Sequence, residues 1–125
     1  MKIVCFKGTC GAGASKVLIS KRVGHPFTLK EISARFAQGC DNLLALRFYT
    51  SNDDSDPATG EPSGISMLRD YGQVDYVVGN DDTKILKHDL DVDESGTYIK
   101  VYAVNSDTFD HSIDCQIAIE DRERG

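Results

Sequence analysis

Hydrophobic and polar residues alternate along most of the chain with the period of two that is typical of a β-strand with one buried face. The clearest case is the segment HSIDCQIAIED. Its inward set is Ile113, Cys115, Ile117 and Ile119, and its outward set is Asp114, Gln116, Ala118 and Glu120. The same period recurs in NLLALRFYT, KILKHDLDV and TYIKVYAVN, while VDYVV and KVLISKRV are shorter candidates. Polar and glycine-containing turn signals separate these segments, so the pattern indicates a succession of short strands.

One segment, PFTLKEISARFAQG, fits two patterns. As a helix it would begin with a capping box at Thr28 and Glu31. Its apolar stripe would then consist of Leu29, Ile32 and Phe36. As a strand, its inward residues would be Ile32, Ala34 and Phe36. The β-rich surroundings favour the strand, but the sequence leaves residues 27–38 open between the two.

Short strands at this spacing predict an all-β fold. We expect an antiparallel β-sandwich of about eight strands, jelly-roll-like, with at most one short helix. The chain of 125 residues is long enough for one core and too short for two, so we predict a single domain over residues 1–125. Within it, residues 1–16 form an N-terminal strand or arm. The loop SNDDSDPATGEPSG is longer than ordinary connections and is expected to be functional or mobile.

The glycine-rich stretch KGTCGAGASK has some of the features of a phosphate-binding loop. A P-loop requires a lysine directly after the second glycine of GxxxxGK[ST]. Here Ala14 occupies that position, and Lys16 comes two residues later. The dinucleotide motif GxGxxG fails as well, because Lys16 stands in place of the third glycine. We therefore predict that this stretch is a hinge or arm between two strands, with no nucleotide bound.

An acidic cluster at Asp53, Asp54 and Asp56 offers the oxygen ligands that calcium takes. Its spacing is not that of an EF-hand, because Thr59 and Ile65 occupy the sixth and twelfth positions counted from Asp54. A calcium-binding loop therefore stays open as an alternative to a solvated acidic turn. We expect no other cofactor.

The sequence contains no assembled catalytic motif. His25, His88 and His111 are scattered, and neither a GxSxG elbow nor a Cys/His pairing is visible. Near His111, the residues that would raise its pKa or supply metal ligands are Asp107, Asp110 and Asp114. A hydrogen-bonded structural histidine is the favoured interpretation at this position. We predict that the protein is not an enzyme.

The net charge of −6 is unevenly distributed. Residues 1–50 carry eight Lys and Arg against two acids, a balance of +6, while residues 51–96 carry three against twelve, a balance of −9. Such asymmetry is typical of complementary faces that meet in an assembly. The alternative is that strands from the two regions are interleaved in the fold, so that their charges are averaged over the surface. The acidic pI, about 4.9, opposes a phosphate-tracking surface, so nucleic acid is not an expected partner.

The start of the chain lacks the apolar core of a signal peptide, and no apolar stretch reaches the ~20 residues of a membrane helix. We therefore expect synthesis in the cytoplasm and no membrane partner. The four cysteines contain no CxxC pair, which favours reduced, structural thiols. They are Cys5, Cys10, Cys40 and Cys115.

The stretches DYVVGNDDTKILKHDLDV and GTYIKVYAVNSDTFDHSIDCQIAIED resemble the C-terminal half of small jelly-roll modules, and the resemblance covers roughly residues 27–120. Such modules occur as decoration or auxiliary head and tail proteins of bacteriophage virions and as carbohydrate-binding modules. The resemblance implies a structural protein that associates with itself or with a capsid-type protein, located in the virion. The alternative is a glycan- or cell-surface-binding module assisted by calcium. The expected assembly arm comprises Met1, Lys2, Ile3, Val4, Cys5 and Phe6.

Overall fold

The computed structural model describes residues 2–24, 26–36, 43–52, 65–66, 76–80, 82–92 and 96–121. The strands in chain order are β1 (Lys2–Cys10), β2 (Ser15–Ile19), β3 (Phe27–Phe36), β4 (Leu44–Ser51), β5 (Ile65–Ser66), β6 (Asp82–Val92), β7 (Tyr98–Asn105) and β8 (His111–Asp121). The described part of the chain is all-β and contains no helix. The all-β class that the sequence predicted is thereby confirmed for these residues.

The strands form two antiparallel sheets with the orders β1-β8-β3-β6 and β2-β7-β4-β5. Seven of the strands have five or more residues, and β5 has only two. The inner faces of both sheets contribute to one hydrophobic cluster, so the arrangement is sandwich-like. Its largest fully buried apolar side chains are Phe27, Phe36, Phe48, Leu29, Ile32, Leu44, Leu46, Ile99, Ile113 and Ile117.

The ambiguous segment forms β3, so the helical interpretation is wrong for residues 27–36. The register of β3 shifts between Leu29 and Glu31 against both of its neighbours, which marks a β-bulge. The extra residue reverses the alternation, and the buried side chains are Phe27, Leu29, Ile32, Ala34 and Phe36. Leu29 and Ile32 are therefore three positions apart yet buried on one face. This bulge reproduces the spacing of a helical stripe within a strand.

One of the two inner strands of the second sheet, β7, is buried on both faces. Ile99, Val101 and Ala103 are fully buried in the core, but Lys100 on the opposite face is also 0% exposed and Tyr102 is 8% exposed. No buried side-chain nitrogen or oxygen of the described residues lacks a hydrogen-bond partner. The outer face of the second sheet is therefore covered along β7. The exposed surfaces near this strand are the sides and ends of the sandwich.

Candidate functional site

The predicted assembly arm is a strand of the chain's own sheet. β1 pairs with β8 from Lys2↔Ile119 to Cys10↔His111. Among the described strands β8 is its only sheet neighbour, so the other edge of β1 is open. Along this edge Ile3 is 57% exposed, whereas Phe6 is buried at 4%. Met1 lies outside the described residues, and the role of this strand in assembly stays a prediction.

The two edge strands β1 and β2 lie on the same side of the sandwich, and the gap between them is closed at one end. There Gly8 has no side chain, and a Cβ on it would lie 3.4 Å from the Leu18 Cδ2 atom. Leu18 therefore fills the space where the two edges approach each other. A side chain at position 8 would thus be in ordinary van der Waals contact with Leu18, which shows how closely β1 and β2 approach each other here.

At the other end the gap opens into a groove of about 530 Å³. Its volume falls within the range of ~300–1,000 Å³ that is typical of ligand pockets. We name it the β1/β2 groove, and its lining residues are Ile3, Val4, Cys5, Phe6, Ile19, Ser20, Lys21, Arg22, Val23 and Gly24. The floor is apolar, and none of these described lining residues is acidic.

The two cations of the groove lie at its rim. Lys21 and Arg22 are both exposed, and residues 1–24 contain five lysines and arginines without a single acid. Arg22 lies over the backbone of Gly96, where a Cβ would lie 2.6 Å from the Arg22 Nη2 atom. Val23 is bridged to Thr97 beside it. These contacts fix the rim, and the groove therefore presents positive charge around an apolar floor.

The opposite end of the sandwich is organised by Asn105, which is 1% exposed. Its Nδ2 group donates to the carbonyl oxygens of Cys10 at 3.1 Å, Gly11 at 3.2 Å and Phe109 at 2.8 Å. Its Oδ1 atom accepts from the Asp107 backbone N–H at 2.9 Å, which is an Asx turn. One side chain thus joins the β1–β2 turn to the β7–β8 loop.

A second set of hydrogen bonds stiffens the β7–β8 loop. The Asp110 Oδ1 atom accepts from the Ala12 N–H at 2.8 Å, and the Gly13 N–H donates to the Asp107 carbonyl oxygen at 3.0 Å. The Asp107 Oδ2 atom lies 2.8 Å from the His111 Nε2 atom. This hydrogen bond and that from the Thr108 N–H hold the pKa of Asp107 below its ordinary value. His111 is hydrogen-bonded, as the favoured interpretation predicted.

The tip of this loop carries Phe109, which is 71% exposed. Its backbone is held by Asn105, so the ring stands on an ordered support and not on a loose loop. The hydrophobic pattern of the sequence does not single out Phe109, because it stands alone among the polar turn residues 105–110. The Asx-turn pairing of Asn105 with Asp107 was the signal in the sequence that indicates an ordered loop.

The predicted calcium site falls outside the part of the chain that the structure describes. Asp53, Asp54 and Asp56 lie outside the described residues, as do His25 and Cys40. Within the described ranges, no three His, Cys, Asp or Glu side chains are grouped so as to hold a metal ion. Over those same ranges, no helix is long and apolar enough to span a membrane.

The three described cysteines, Cys5, Cys10 and Cys115, carry free thiols. Cys5 is exposed, and the other two are buried. Burial raises the pKa of the Cys115 thiol to about 12, and burial also raises the pKa of Cys10. Because the thiolate is the reactive form, both buried thiols are chemically inert packing groups.

Sequence comparison gives no relative from which a role could be transferred. No protein-family model matches the chain, and no curated protein is similar to it in sequence. Function must therefore be inferred from the groove, the loop and the fold themselves.

Proposed function

We propose that this protein is a non-enzymatic jelly-roll protein that self-associates as a structural component of a larger particle, a phage capsid decoration or auxiliary protein. The strand pairing supports the jelly roll. Strand β1 pairs with β8, β2 with β7, β3 with β6 and β4 with β5. This is the pairing of a long hairpin, β1–β4 against β5–β8, rolled into two sheets. Jelly rolls of this kind build viral capsid and lectin domains.

A fold does not determine a function, so the proposal rests on one surface feature. That feature is the side of the sandwich where the edge strand β1, which has no second neighbour among the described strands, borders an apolar groove with a basic rim. Open edges and apolar patches are the surfaces through which protein chains associate. The opposite charge of residues 1–50 and 51–96 favours contact between copies in a head-to-tail sense.

Sedimentation velocity of the full chain at rising protein concentration, in low and high salt, tests the proposal. We expect masses above the 13.7 kDa of one chain, with association weakened by salt. Electron micrographs should show regular assemblies, and genes for capsid, portal or tail proteins should flank the gene. A single 13.7 kDa species under all conditions would overturn the proposal. A monomer that binds a glycan array in the presence of calcium would instead support the carbohydrate-binding alternative.

A further inference from the structure

We infer that copies of this chain join head-to-tail by inserting Phe109 of one copy into the β1/β2 groove of the next. This inference rests on the proposed function of self-association and names the surfaces that would carry it. The occupant of the groove is therefore a second copy of this chain.

The projecting residue has the properties of an interface anchor. Phe109 is the most exposed of the large hydrophobic residues that the structure describes, at 71%. Aromatic side chains that fill pockets at the centre of an interface contribute much of its binding energy. Because the Asn105 amide already holds the Phe109 backbone, little backbone entropy is lost when the ring is buried.

The receiving groove matches this anchor in chemistry. Its floor includes Val4, Phe6 and Ile19, an apolar surface on which an aromatic ring packs. Acids flank the anchor at Asp107 and Asp110, and residues 106–110 contain no cation. The described rim residues Lys21 and Arg22 carry the opposite charge, so the two surfaces are electrostatically complementary.

The two surfaces lie at opposite ends of the same molecule. The groove borders Ile3–Phe6 at the start of β1, whereas Phe109 adjoins the end of β1, where Cys10 pairs with His111. Even Phe6, the β1 residue of the groove nearest to Cys10, lies four strand positions from it, a distance of ~13 Å, and Asn105 holds the Phe109 backbone beyond Cys10, so the anchor cannot reach the groove of its own chain. A contact between different patches is heterologous, and its repetition builds a ring or a filament.

Two variants separate the anchor from the groove. Phe109→Ala removes the anchor, and Ile3→Glu puts a carboxylate beside the groove at a residue that is 57% exposed. We expect each to weaken self-association by at least about thirtyfold in sedimentation, the effect of a hot-spot residue. The matched control is Ile85→Glu on β6, which is 55% exposed at the far edge of the same sheet and should leave association unchanged. Lys21→Glu serves as the groove variant should Ile3→Glu fail to fold by circular dichroism.

Mixing the variants tests the head-to-tail geometry. Phe109→Ala keeps an intact groove and Ile3→Glu keeps an intact anchor, so together they should form a complex of two chains that does not grow further. Two monomeric variants that stay monomeric when mixed would overturn the inference. Wild-type association that both variants leave intact would also overturn it, while the proposed function would stand. A wild-type chain that never associates would overturn the proposed function itself.

Discussion

Asn105 joins the two loops at one end of the sandwich, and Asn105→Ala measures what that junction contributes. The amide has two N–H groups, which three carbonyl oxygens share, and one oxygen, which accepts from the Asp107 N–H. Alanine therefore removes the equivalent of three hydrogen bonds at a side chain that is 1% exposed. Each is worth about 1 kcal/mol net, so the free energy of unfolding should fall by about 3 kcal/mol.

The loss should be measured by urea unfolding followed by circular dichroism. An unfolding entropy of ~2.1 cal/mol/K per residue over this chain converts about 3 kcal/mol into a melting temperature lower by about 11 °C. Asn52→Ala is the control, because Asn52 is exposed and its loss should change stability by less than about 0.5 kcal/mol. A loss below about 1 kcal/mol for Asn105→Ala would mean that water replaces the network, which would refute the reasoning.

Three further variants or groups test other parts of the structure. Gly96→Ala should cost about 1–3 kcal/mol in urea unfolding, because left-handed backbone strains any other residue. The φ of Gly96 is 79°, and a Cβ at this position would clash with the Arg22 side chain. Adding Arg22→Ala to Gly96→Ala should therefore remove the clash but leave the backbone strain. Asp107→Asn should reduce the loss of stability in acid. The hydrogen bond with His111 lowers the pKa of Asp107. The stabilisation that this carboxylate gives to the fold is therefore present above about pH 4, the pKa of an unfolded aspartate, and is lost as the pH falls through the lower pKa of the folded protein. Melting curves from neutral to acidic pH check this, and equal acid losses in both proteins would contradict it. Cys115 should resist alkylation until the protein unfolds, because burial raises its pKa to about 12, and peptide mass spectrometry would detect early labelling.

The sequence predicted the strands whose buried faces alternate strictly, and β8 is the clearest example. Ile113, Cys115, Ile117 and Ile119 are all buried, as expected, but Ala118, which the pattern places on the outward face, is buried as well. The period of two failed to decide β3, because a single extra residue near Leu29 changes which positions face inward. Local capping signals then imitate a helix, and only pairing with β8 and β6 determines the strand. Pairing partners far apart in the chain are not encoded in any short window.

The candidate site was predicted less completely than the fold. The alternation in β7 separates Ile99 from Lys100, but it does not indicate that both faces are covered. Phe109 stands in a segment of polar turn residues, where a lone aromatic gives no periodic signal. The groove depends on how far two edge strands of different sheets lie apart, and a sequence pattern carries no such distance. The sequence singled out the start of β1, which forms one wall of the groove. It gave no indication of the other wall, which residues 19–24 form.

The Asn105 network also couples the stability of the fold to the proposed assembly. Asn105 does not line the groove, yet it holds the backbone of Phe109, so Asn105→Ala should weaken self-association as well as stability. Phe109→Ala should weaken association alone, because the ring is exposed and its loss opens no cavity. In the double variant, the stability loss of Asn105→Ala should persist, while association should be no weaker than in Phe109→Ala. Sedimentation and urea unfolding of the four proteins complete this double-mutant cycle. Additive losses of association would mean that Asn105 acts on assembly by a route other than positioning the ring.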